Sequence, residues 1–155
     1  MQNQTKMVTG KVRFSYVNVF EPRSIDGQDP KYSVSLIIPK SDQVTLKKIA
    51  DAIAAATERG LNKFGGKRPA NLKTPLRDGD TERPDDPTYA GCYFINANSR
   101  IRPGVVDQDL NAILDREEVY SGCYGKASLT FYAYNTNGNR GIACGLQNLQ
   151  KLEDG

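Results

Sequence analysis

A chain of 155 residues, 38% apolar and 25% charged, is the length of one ordinary domain, able to bury a core without disulfides or a structural metal. It has no histidine, which removes the commonest general base, the commonest metal ligand and every nucleophile arrangement built on an imidazole. The net charge of +3 decides little by itself, but its distribution is uneven. Arg59, Lys63, Lys67, Arg68, Lys73 and Arg77 follow one another with no acid between them, and Asp78, Asp80, Glu82, Asp85 and Asp86 come directly after. Lys6, Lys11 and Arg13 stand in an acid-free start, and Lys126, Arg140 and Lys151 in an acid-free stretch from 119 to 152. Separated basic tracts of this kind suit a polyanion-binding surface. Cys92, Cys123 and Cys144 stand singly, so they read as buried free thiols and not as a zinc site or a disulfide framework. No apolar run is long enough for a membrane helix, and the polar residues 1–6 resemble neither a signal nor a transit peptide, so the expectation is a cytoplasmic protein with no membrane partner and no cofactor.

Residues 8–20 are rich in β-branched and aromatic types, with Val12, Phe14 and Tyr16 expected inward and Lys11, Arg13 and Ser15 outward. Two prolines and the Asp26–Gly27 pair make 21–30 a turn, and 31–38 alternates again until Pro39, so the two strands are expected to pair as a hairpin. One amphipathic helix follows from Ser41 to Gly60, with Ser41 as N-cap and Leu46, Ile49, Ala50, Ile53, Ala56 and Thr57 at helical spacing. The glycines, prolines and dense charges of 61–88 read as a long, mobile, basic then acidic loop. A third strand over 93–101 sets Tyr93, Ile95, Ala97 and Ile101 inward against Phe94, Asn96, Asn98 and Arg100. Residues 105–118 combine an extended start with a short helical turn around 110–114. Finally, 123–134 and 140–149 flank an Asn-Gly turn and read as a β-hairpin.

That hairpin is the most informative part of the chain. Gly125, Ala127, Leu129, Phe131 and Ala133 form its inward set, with Ile142, Cys144 and Leu146 opposite. The outward set is Tyr124, Lys126, Ser128, Thr130, Tyr132 and Tyr134. Three tyrosines and a lysine on one solvent-facing stripe form a surface on which unstacked bases can lie while the ammonium meets a phosphate. Cross-strand packing that merely stabilises the sheet is the alternative for any one tyrosine. It loses weight because Lys11 and Arg13, and then Phe94, Asn96 and Arg100, repeat the basic, polar and aromatic mixture on their own strands. Together with Lys67, Arg68, Lys73 and Arg140, these side chains are the candidate DNA contacts. About five strands with one inserted helix would make a mostly β, OB-fold-like small barrel over 1–155 as a single domain.

Taken in order, Tyr93 to Ser99, Pro103 to Asp107, Tyr120 to Tyr124, Phe131 to Tyr134, Arg140 to Ile142 and Gly145 to Lys151 resemble a tailed-phage family of single-stranded-DNA-binding proteins, long catalogued as a domain of unknown function. The resemblance covers nearly the whole chain. It implies an OB-fold protein without enzymatic activity that coats exposed single strands in phage replication or recombination, works in the host cytoplasm, and partners phage or host replication proteins; self-association stays open. Such proteins usually end in a long acidic tail, of which Glu153, Asp154 and Gly155 would be the start. In the usual OB-fold the helix sits between strands three and four, whereas here it follows the second, which implies a missed strand or a family-specific insertion.

Two other function classes compete. Asp107, Asp109, Asp115, Glu117 and Glu118 cluster closely enough to suggest a metal-dependent nuclease, although no recognisable carboxylate-plus-lysine signature accompanies them. A tyrosine-rich face also suits a virion or scaffold protein that binds another chain.

Overall fold

The computed structural model describes residues 5–24, 29–70, 72–136 and 139–155. The expected first strand is two strands. β1 (Lys6–Val8) is short, and β2 (Val12–Arg23) is long enough to pair with two neighbours. β3 (Lys31–Pro39) forms the antiparallel hairpin with β2, as the alternation requires. The helix α1 (Gln43–Arg59) starts one residue later than expected, because Asp42 and not Ser41 caps it: the Asp42 carboxylate accepts from the Thr45 N–H at 3.2 Å. Its buried face is Thr45, Ile49, Ala52, Ala55, Ala56 and Thr57, while Ala50 is exposed. Small side chains on that face let the helix lie close to the sheet.

Segment 61–88 is more ordered than glycine and proline content suggests. It contains a 3-10 turn (Leu61–Phe64), β4 (Leu76–Asp78), a single helical turn α2 (Gly79–Glu82) and a second 3-10 turn (Pro87–Tyr89). β5 (Cys92–Ser99) pairs antiparallel with both β3 and β4. After β6 (Gly104–Val106), the expected helical turn at 110–114 is replaced by a tight turn in which the Asp107 carboxylate accepts from the N–H groups of Asp109 and Asn111 at 2.9 and 3.0 Å. Its helix-like composition loses to that side-chain competition for the backbone. β7 (Tyr124–Thr136) and β8 (Asn139–Glu153) form the closing hairpin. The turns at 26–27 and 137–138 lie outside the described residues.

Pairings of β7 with β2, β2 with β3, β3 with β5, β5 with β8 and β8 with β7 close the sheet on itself through five strands. All are antiparallel except the short parallel contact of Asn98 with Gly145. Closure removes the edges that an open sheet would expose. β1 pairs with β7 outside this circuit, so α1 does lie between the second and third circuit strands, an insertion and not the sign of a missing strand. The enclosed core holds Val12, Phe14, Leu36, Ile95, Leu129, Phe131 and Leu149. The inward set expected for the hairpin is buried throughout. Cys123 and Cys144 are buried, and burial pushes the Cys144 thiol well above its ordinary range; Cys92 is half-buried.

Two core assignments are corrected. Tyr16, expected inward, is 58% exposed, because the register of β2 on β3 slips between Ser15 and Asn18 and turns the ring out. Ile101, expected inward, is 79% exposed, because β5 ends at Ser99 and the chain leaves the sheet.

Candidate nucleic-acid interface

The outer surface of the closed sheet has a definable row structure, because directly paired residues share a face. Asn18 pairs with Ser33, Ser33 with Asn98, Asn98 with Gly145, Gly145 with Thr130, and Thr130 with Lys6. Short polar side chains, with Gly145 as the β8 member, therefore run as a belt across β2, β3, β5, β8 and β7. One row along lie Ser15, Ser35 and Asn96, also mutually paired; Asn96 is exposed, and the buried Ser35 hydroxyl has no hydrogen-bond partner among the described residues.

What flanks the belt differs on its two sides. Lys31 precedes Ser33 on β3, Arg100 and Arg102 follow Asn98 beyond β5, and Gln147 follows Gly145 on β8; the strand directions put all four on one side. Tyr132, two residues past Thr130 on the oppositely directed β7, falls on the other side with Asn96. These residues line a groove of about 520 Å³ whose walls include Lys31, Arg100, Ile101, Arg102 and Tyr132 and whose floor includes Asn98, Thr130 and Gly145. Gly145 has structural weight here, since a Cβ on it would stand 2.9 Å from the Thr130 methyl and 3.6 Å from the Tyr132 ring. The Tyr132 ring is 47% exposed across from Ala143, so it presents an open aromatic face. Arg100 pairs only loosely with Asp29, at 3.9 Å with both side chains exposed, a geometry that holds little of its charge back.

The candidate contacts thus divide into groups. Tyr132 and Arg100 line the groove, and Asn96 lies one row over from it. Tyr134, Lys73 and Arg140 meet at the far end of the hairpin, where the Lys73 N–H donates to the Arg140 carbonyl at 3.2 Å and the Lys73 carbonyl accepts from Ile142 at 2.8 Å. There the Tyr134 hydroxyl sits over Gly141, so this tyrosine is partly spent on packing. Lys11, Arg13 and Tyr124 cluster at the opposite end of β7, with Lys11 and Arg13 at 5.9 and 5.8 Å from the Tyr124 ring centroid. Glu153 lies opposite Tyr124 and pairs with Lys11, so acid already occupies part of that patch. Lys126 is exposed between the two ends. Lys67 and Arg68 line a separate hollow beside the second half of α1.

Phe94 is the clear correction. It does point away from the main core, but at 2% exposure it is covered by the 3-10 turn at Pro87–Tyr89, with the Tyr89 ring edge-on at 5.1 Å and Ile37 beside it. The Arg83 guanidinium lies over both rings at 5.7 and 5.4 Å. Close by, Lys40 bridges Asp80 and Asp78, each at 2.9 Å, which raises the lysine pKa and lowers that of Asp78; the Asp80 carboxyl is lowered first by the Gly91 N–H and then by Lys40. Sequence inspection missed Lys31, Arg102 and Gln147. The signal for Arg102 was the Arg-Ile-Arg step ahead of Pro103, obscured by the inward side that alternation assigns to Ile101. Two of the five acids suggestive of a nuclease serve the backbone: Asp107 caps its own turn, and Asp115 accepts from the Glu117 N–H at 2.9 Å. Among the described residues no group of acids or cysteines is placed to hold a metal ion.

A closed five-strand sheet carrying a belt of short polar residues between cations and an open aromatic ring defines an OB-fold-like protein of the oligonucleotide-binding class. Comparison with known proteins makes the assignment specific. Residues 5–155 match the family model described as the Enterobacter phage Enc34 ssDNA-binding protein, and the chain belongs to that family. It is 30% identical to putative protein p50 of Acyrthosiphon pisum secondary endosymbiont phage 1, over 97% of this chain and 84% of that protein. Its fold is similar to the single-stranded DNA-binding protein from bacteriophage Enc34 solved in complex with ssDNA, with a TM-score of 0.86 and 26% identity over 100% of this chain and 93% of that one. The fold of gp2.5, a single-stranded DNA binding protein encoded by bacteriophage T7, is also similar, with a TM-score of 0.70 at 15% identity over 97% and 87% of the two chains.

Proposed function

We propose that this chain binds single-stranded DNA with little sequence preference, in the groove across β5, β8 and β7, and that it does so in the host cytoplasm in support of phage DNA replication or recombination. The observation that carries this is the separation of chemistry across the polar belt: Lys31, Arg100 and Arg102 on one side, the open face of Tyr132 on the other. A single strand has the same separation, with phosphates along one edge and base faces along the other. Stacking on an aromatic ring contributes roughly 1–3 kcal/mol per base and accepts any base, since every base has a π-face. The short side chains of the floor keep polar contact without the bidentate forks that discriminate one base from another. The solved relative in complex with ssDNA supports the same ligand class. Lys11, Arg13, Tyr124, Lys126, Tyr134, Arg140 and the Lys67–Arg68–Lys73 tract extend the cationic surface on either side as secondary contacts.

A gel shift comparing labelled single strand, duplex and RNA across a salt series tests the proposal. Single-strand binding should be the tightest and should fall steeply as salt rises. Salt-insensitive binding, or a preference for one sequence motif, would contradict it.

A further inference from the structure

Tyr16 sits where its residue type is costly. The slip in register between Ser15 and Asn18 sets residues 16 and 17 together against β3 as a bulge, and the backbone φ at Tyr16 is +48°. Glycine is the usual occupant of a positive-φ bulge position, and a bulky side chain there is strained. Two side chains hold the bulge: Ser121 Oγ accepts from the Val17 N–H at 3.3 Å, and Asn18 Nδ2 donates to the Tyr16 carbonyl at 3.2 Å. The ring gains little within the protein in return. It is 58% exposed, and among the described residues it makes no aromatic or cation contact and its hydroxyl no hydrogen bond.

Its place in the row structure is informative. Asn18 is the β2 end of the polar belt and Thr130 its β7 end. Tyr16 precedes Asn18 on β2 while Tyr132 follows Thr130 on β7, and the two strands run in opposite directions. The two open tyrosines therefore fall on the same side of the belt, at its opposite ends, while Lys31, Arg100 and Arg102 occupy the other side. From β2 through β3, β5 and β8 to β7 is four strand steps, at most about 19 Å along the surface. That span lies within what one OB-fold covers, roughly 4–16 nucleotides.

We propose that Tyr16 is a second base-stacking platform, so that the DNA strand runs across the β-strands from Tyr132 to Tyr16 with its phosphates along the Lys31–Arg102 side and its bases along the tyrosine side. This rests on the groove being a single-strand site. It also accounts for a strained tyrosine, because positive φ is what turns the ring out of the core and onto the belt.

The test uses Tyr16→Asn, which tolerates positive φ but has no ring, beside Tyr16→Phe and Tyr132→Ala, with an oligothymidylate of about sixteen nucleotides. Tyr16→Asn should weaken binding roughly five- to hundredfold without lowering the melting temperature, and Tyr16→Phe should bind like the parent. Because the two platforms are far apart, the double variant should lose the product of the single fold-changes. The chain has no tryptophan, so Tyr16→Trp supplies a lone reporter whose fluorescence should be quenched as DNA is added. Parent-like affinity in Tyr16→Asn together with weakened binding in Tyr132→Ala would overturn the second platform and leave the groove standing. Parent-like affinity in both would overturn the groove reading and this one with it. An unquenched Tyr16→Trp protein that binds DNA normally would also refute the platform.

Discussion

Replacing Tyr132 by alanine separates a ring that binds from a ring that packs, because the structure fixes how much stability it can cost. The ring is about half exposed and packs across from Ala143 beside Gly145. Full burial of a large apolar side chain contributes roughly 1.5–3 kcal/mol, so a half-covered ring contributes on the order of 1 kcal/mol. For a chain of this length that lowers the melting temperature by about 2–4 °C. Against a typical total stability of about 5–15 kcal/mol, the variant stays folded to all but about a thousandth part at 25 °C, and unfolding cannot imitate a large affinity loss. Stacking predicts a loss of roughly 1–3 kcal/mol in binding, about five- to hundredfold. Tyr132→Phe should bind like the parent, because the hydroxyl makes no hydrogen bond among the described residues. Fluorescence anisotropy with a labelled oligonucleotide, alongside a thermal melt, measures both quantities. A Tyr132→Ala protein that melts many degrees early while its folded fraction binds normally would refute the assignment.

Replacing Lys31, Arg100 and Arg102 together with glutamine should flatten the salt dependence of single-strand binding by about 0.7 in slope for each phosphate no longer neutralised, and the same change at Lys67, Arg68 and Lys73 tests the basic tract; an unchanged slope in either set would remove it from the DNA path. Phe94→Ala should cost about 3 kcal/mol, seen as a melting temperature roughly 6–12 °C lower, with normal affinity in the folded fraction; weakened binding at unchanged stability would reinstate Phe94 as a DNA contact. Asp80 and Asp78 have folded pKa values below their unfolded ones, so their stabilisation is present above about pH 4 and is lost as pH falls through the lower folded values. Melting curves of Asp80→Asn and the parent should therefore differ near neutral pH and converge as the solution becomes acidic, and a gap that widens on acidification would contradict the sign.

The hairpin was legible because β7 keeps strict alternation from Tyr124 to Tyr134, and two-residue periodicity is a local signal that a closed sheet has no reason to override. Tyr16 was not, since its bulge is set by the β3 register and by Ser121, more than a hundred positions away. Phe94 obeys the alternation and does face outward; its burial comes from Tyr89 folding over that face. Alternation tells which side a residue takes, but not what covers the side. Lys31 and Arg102 become neighbours of Tyr132 only through the Asn98–Gly145 contact that closes the sheet, a pairing without a short-range sequence signature.

The proposed groove would favour a single strand over a duplex for a geometric reason. In a duplex the base faces are already stacked on one another, so an exposed ring such as Tyr132 meets only sugar and phosphate edges, and its aromatic face contributes little. The cations would still attract the backbone, as they attract any polyanion, but that contribution is shared by every nucleic acid and vanishes with salt. Discrimination must therefore arise on the tyrosine side of the belt, and its strength depends on how many bases can be laid down before the sheet curves away. One open ring gives a modest preference. If Tyr16 is the second platform proposed above, two rings on the same side, separated by a floor kept low by Gly145, Thr130, Asn98 and Ser33, would let a run of unstacked bases be held without any of them being read.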